Sequence, residues 1–165
     1  MISAARDVLD DCRLARLELL DGVQGHIWRR RWIVNVVLLR AVGHVLDKID
    51  GAHSLRQRQV IKKWWKDLNL SKPKPEIFWH FIDKERNSIL KEYKTNAGQS
   101  TFVLPGLEAS MSAVTGRVDS PKSTVYRYHM NGGYFHGRDH RELIDEAIEW
   151  WAGELDKIEA KSKFP

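Results

Sequence analysis

The stretch Trp32-Ile33-Val34-Asn35-Val36-Val37-Leu38-Leu39-Arg40-Ala41-Val42-Gly43-His44-Val45-Leu46 decides the fold class. It falls short of the roughly 18 uncharged residues that a membrane span requires, and Arg40 and His44 interrupt it. The segment reads instead as the middle of a helix from about Ile27 to Ile49. It is apolar on nearly every side, as a helix at the centre of a bundle or of a dimer is. Gly51 is its stop signal.

Working outward, helical patterns flank it. Before it, Ala5, Val8, Leu9, Cys12, Ala15 and Leu19 recur at three and four, with Ser3 as cap and Asp21-Gly22 as stop. After it comes a short basic helix, Gln57 to Leu68, and beyond Pro73 and Pro75 a fourth helix from Glu76 to about Lys94. Asp139 with Glu142 forms a capping box for a last helix. Its face is Ile144, Ala147, Ile148, Trp151, Leu155 and Ile158.

Between Thr95 and Ser123 the helical period is lost and Gly, Ser, Thr and Pro accumulate, with an extended piece at Ser100–Leu104. Thr124–Met130 and Gly133–His136 flank Asn131-Gly132, the residues that a type I′ turn favours, so the spacing predicts a β-hairpin there. The expected architecture is therefore mainly α. It is one domain over residues 1–165, a bundle of four to five helices with a small β-hairpin inserted before the C-terminal helix and an excursion at about 95–138.

Composition bounds the rest. The 165 residues, 42% hydrophobic with seven tryptophans, can fold around one core. One cysteine, Cys12, leaves no internal disulfide, and the first residues do not resemble a secretory signal, so a cytoplasmic location and no membrane are expected. From His53 to Lys94 there are eleven Lys or Arg against five Asp or Glu; from Asp139 to Lys161 there are three against eight. A basic middle and an acidic final helix make the chain dipolar. The basic helix carries Arg58, Lys62, Lys63 and Lys66 beside Trp64-Trp65, which suits phosphate contact with a nucleic acid or docking on an acidic partner.

Stepping along the fourth helix from Ile82 to Ile89 passes through Glu85 or Arg86, which puts a charge on or beside the stripe that should be buried. Such a charge needs either a partner or an opening to a cleft. On the second helix Asn35, Arg40 and His44 read as a buried polar network, or as a contribution to a phosphate site. His136, Asp139 and His140 lack the further ligand that a recognisable metal spacing needs, so no metal and no other cofactor is expected. No Gly-rich phosphate loop, nucleophile elbow or metalloprotease helix occurs.

Arg86-Asn87-Ser88-Ile89-Leu90-Lys91-Glu92-Tyr93 resembles the signature of HEPN domains (higher eukaryotes and prokaryotes nucleotide-binding). That signature is Arg, a polar residue often Asn, a few residues and then His, which one subset extends to Arg, any four, His, any, Tyr. Arg86, Asn87 and Tyr93 are in register, and Lys91 stands where the family has its His. The order of helices over about 120 residues is similar too, whereas residues 95–137 lie outside the family's core.

The resemblance implies a homodimer with Arg86 at the interface, RNA as partner, and metal-independent endoribonuclease activity of the toxin–antitoxin or anti-phage type. Arg86 would hold the scissile phosphate, Asn87 would orient it, and Tyr93 would serve packing or modification. Lys91 cannot exchange a proton near neutrality unless its pKa is lowered by several units, which implies a weakened or inactive relative. His80, His129 and His136 are supplementary sources of an imidazole. The rival reading is a non-catalytic homodimeric module that assembles with a partner protein. A sequence-independent DNA binder is a third.

Overall fold

The structure, a computed structural model, describes residues 2–104 and 123–163; residues 105–122 of the excursion lie outside them. The chain runs α1 (Ala4–Leu17), α2 (Gly25–Lys48), a 3-10 turn (Asp50–Ala52), α3 (Leu55–Leu70) and a π-helical segment (Ile77–Asp83) that continues into α4 (Lys84–Glu92). Then follow β1 (Ala97–Leu104), β2 (Ser123–Met130) and α5 (His140–Lys163). It is a mainly α bundle with a small two-stranded antiparallel sheet before the last helix, as the periodicity predicts. No described helix is long and apolar enough to cross a membrane.

The core forms because each helix turns its apolar stripe inward. Leu9 and Cys12 of α1, Trp32, Val36, Leu39 and Leu46 of α2, and Leu143, Ala147, Trp151 and Leu155 of α5 are all within 1% of complete burial. Gly43 lets three elements close in: a Cβ there would lie 2.9 Å from the Trp151 ring and 3.0 Å from that of Trp65.

Two buried carboxylates hold chain segments together through neutral donors. Asp50, fully buried, accepts the amides of Ser3 (3.1 Å), Ala4 (3.2 Å) and Ala5 (2.8 Å), so the first turn of α1 is capped from the far end of α2. This corrects the expectation of a Ser3 cap, since the Ser3 side chain makes no capping bond. Glu85, 1% exposed, accepts from the Trp32 indole (3.1 Å) and from the backbone (2.9 Å) and side-chain (2.7 Å) amides of Asn96. It pins the turn from α4 into β1 against α2.

The predicted strand Thr124–Met130 is present, but its partner differs. β2 pairs with β1 in the register Ala97↔Met130 to Leu104↔Ser123, which takes in the extended piece expected at Ser100–Leu104. Residues 131–137 form a loop instead. It is closed by Met130 N–H to the Arg138 carbonyl (2.9 Å) and Gly137 N–H to the Met130 carbonyl (2.8 Å), with one bridge, His129↔Asp139. A type I′ turn requires positive φ at both Asn131 and Gly132, whereas the positive φ values fall at Gly133 (79°) and Gly137 (82°). β1 offers an eight-residue ladder, which a four-residue run rich in loop geometry cannot match.

Candidate functional site

The π segment is the local feature that arranges the site. π-helix accounts for well under 1% of residues and concentrates where function demands an irregular helix. Here it buries Ile77, Phe78, Phe81 and Ile82 and leaves Trp79 and His80 half-buried on its flanks. Of the two charged residues next along the helix, Glu85 is the buried one and Arg86 stands at the edge.

Arg86 begins a polar chain. Its Nη1 donates to Asn87 Oδ1 (2.9 Å), Asn87 Nδ2 donates to Asp83 Oδ2 (3.1 Å), and Arg40 Nε of α2 donates to Asp83 Oδ1 (3.2 Å). Arg40 also lies over the rings of Trp65 (5.6 Å) and Phe78 (5.7 Å). Among the described residues Arg86 has no carboxylate partner, so its half-exposed guanidinium keeps its charge for something else. One turn beyond Arg40 on the same helix stands His44, exposed. Partial burial of the ring, and then the charges of Arg40 and Arg86, hold its imidazole below the usual histidine range, with Asp47 opposing. The neutral ring is thereby favoured, and a neutral imidazole can accept a proton and return it.

Of these, Arg40 and His44 line a groove of about 510 Å³ between α2, α3 and the π segment, together with Gly43, Asp47, Lys48, Lys62, Trp65, Asn69, Phe78 and Trp79. A larger groove, about 620 Å³, lies on the other side of α3 against α5, with Val60, Trp64, Leu68, Pro75 and Trp150 as apolar walls and Lys63, Asp67, Glu154 and Lys161 among its polar ones. The four basic residues singled out on α3 are thus divided. Arg58, Lys62 and Lys66 follow one another at single-turn intervals on the first groove's side, while Lys63 belongs to the second.

The remaining motif residues disperse. Lys91 is exposed and, among the described residues, has no hydrogen-bond or ion-pair partner. Tyr93, expected to serve packing or modification, is 67% exposed: it ends α4 in the left-handed conformation (φ 54°) with the Arg29 guanidinium 4.2 Å from its ring centre. His80 stacks on Tyr134 at 4.6 Å, His129 lies 3.4 Å from the Ser100 hydroxyl, and His136 is exposed on the loop. His140 is buried in the core. The Asn35 side-chain amide donates to the Ala15 carbonyl (3.0 Å), joining α1 to α2 and standing apart from Arg40 and His44. Among the described residues no group of three His, Cys, Asp or Glu is placed to hold a metal ion.

His44 is the group that motif reading underrates, because it lies on another helix. Its one-turn spacing from Arg40 is the signal that points to it. The chain matches no protein-family model, no curated protein and no solved structure.

Proposed function

We propose that this chain is a HEPN-like RNA-associated protein, a metal-independent endoribonuclease or a weakened relative of one, of the toxin–antitoxin or anti-phage type. The observation that carries the reading is the environment of Arg86. Its guanidinium is braced through Asn87 and Asp83 to Arg40, has no acid partner among the described residues, and shares its field with the His44 imidazole, whose pKa it helps to lower.

Such a set suits transesterification at an RNA phosphate. His44 takes the proton of a ribose 2′-hydroxyl as its oxygen attacks phosphorus, Arg86 stabilises the charge that grows on the phosphoryl oxygens, and the P–O5′ bond breaks with the 5′-oxygen taking a proton from water, giving a 2′,3′-cyclic phosphate. Asn87 acts as a positioning residue. The reading includes a homodimer that brings two copies of Arg86 toward a shared cleft.

The test is cleavage of mixed tRNA and mRNA in EDTA by the purified protein beside variants. Arg86→Ala is expected to lose about 100-fold or more in rate, the cost of removing one charge-stabilising donor. His44→Gln is expected to lose about 100-fold, the usual worth of a general base. Lys91→Ala, without a partner to lose, is expected to stay within about tenfold of the parent. Intact RNA in every lane, with the protein folded and dimeric, would transfer the assignment to the interaction-module reading, which the apolar groove of Trp64 and Trp150 favours.

A further inference from the structure

We infer that the groove between α2, α3 and the π segment seats one unpaired nucleotide of an RNA strand, its base on the Trp79 ring and the flanking phosphates along the α3 cations. This rests on the RNA reading above and names the form of RNA that the same site takes.

Trp79 is half-buried, its edge fixed by the indole N–H donating to the Lys74 carbonyl (3.2 Å) and by a perpendicular contact with Phe78 (4.8 Å between centres). The ring is therefore immobilised, while the group lying over it, the Lys72 ammonium at 4.1 Å, is on an exposed side chain. A base can displace that ammonium or lie beside it, and the lysine then reaches the strand's backbone. Stacking of this kind is indifferent to base identity and demands a base free of its complement.

Charge settles the occupant as a strand rather than a free mononucleotide. Arg58, Lys62 and Lys66 extend along α3 in steps of about 6 Å, with Lys62 and Lys66 beside the groove and Arg58, whose Nε donates to the Gly51 carbonyl (3.2 Å), about one turn beyond it. All three are exposed, and Lys62 lines the groove itself. A duplex presents phosphates but keeps its bases stacked inside, away from Trp79.

The experiment uses a 2′-O-methyl octanucleotide, which cannot supply a 2′-hydroxyl nucleophile, in fluorescence anisotropy with the full chain. The unpaired oligonucleotide is expected to bind at least tenfold more tightly than its blunt duplex. Trp79→Ala is expected to weaken binding roughly 5- to 150-fold, the worth of one stacked base. Because Trp79→Ala could disturb packing, Lys62→Glu with Lys66→Glu, both on exposed side chains, gives a second reading with a loss of tenfold or more. Equal affinity for strand and duplex, displacement by poly-glutamate at the same charge concentration, or unaltered binding by both variants overturns the inference. Binding as expected with no RNA cleaved leaves this groove standing and removes the ribonuclease reading. Cleavage abolished in Arg86→Ala but untouched by the groove variants does the reverse.

Discussion

His140 lies 2% exposed with its Nδ1 2.9 Å from the Tyr128 carbonyl oxygen, so that nitrogen carries the proton, and Nε2 accepts from the Trp28 indole at 3.4 Å. Both ring nitrogens are satisfied only in the neutral form. Burial, the first cause, lowers its pKa from 6.5 to about 4, outweighing the opposing effects of the Tyr128 carbonyl and Asp139. Between those values the unfolded chain holds a proton that the folded chain does not. Stability from this residue is therefore complete above about pH 6.5 and falls as pH drops toward 4. At about 1.4 kcal/mol per decade the loss amounts to roughly 3 kcal/mol. Urea titrations at pH 7 and 4.5 should show the decline in the parent chain, and His140→Asn should remove that part of the slope. Sequence alone set His140 among the residues about a hairpin, because nothing local to Arg138-Asp139-His140 shows that Trp28 lies across the ring.

At the scale of elements, the helices were legible and their ends less so. Ile144, Ala147, Ile148, Trp151, Leu155 and Ile158 are all buried on α5, and Asp139 caps it through the Arg141 amide (2.7 Å). Periodicity reports such faces because burial repeats with the helix turn. The start of α1 at Ser3 was legible but the group that caps it was not, because that cap arrives from residue 50, a distance in sequence that no capping pattern spans. Asp50→Ala should therefore destabilise the fold by about 2 kcal/mol, above an ordinary cap, since three amides, that of Ala5 buried, lose their acceptor. Chemical denaturation with an unchanged m-value is the check. The π segment was likewise invisible: Glu76 to Lys94 reads as one α-helix, and only contacts with α2, α3 and α5 select the looser winding. Of the candidate site, Arg86 and Asn87 were found by motif. Arg40 and His44 were recognised as polar residues without their partner, Asp83.

For the molecule as a whole, the uneven charge takes a definite form. The basic middle lies along α3, the turn that follows it and α4, and the acidic last helix draws in arginines from α1. Arg6 meets Asp156 at 2.6 Å and Glu159 at 3.0 Å, and Arg16 meets Asp145 at 2.8 Å. Part of the negative charge of α5 is thus spent inside the bundle, while Lys62 and Lys66 remain exposed. Cys12 offers a gauge of global opening. It is fully buried between these helices, and burial pushes its thiol up to about 12, so almost no thiolate forms at neutral pH. A thiol reagent should label the native chain at a rate limited by unfolding, and labelling across a urea series should coincide with the loss of helical circular dichroism.

Capping α1 from Asp50 also gives the fold a history. The residues of α1 leave the ribosome before residue 50 does, and through that interval the first turn has only solvent for its free amides. The helix that comes first in the chain is finished by the turn after the second, so a nascent fragment that ends within α2 carries an unfinished α1 and, with it, an exposed Leu9 and Cys12 face for chaperones to hold.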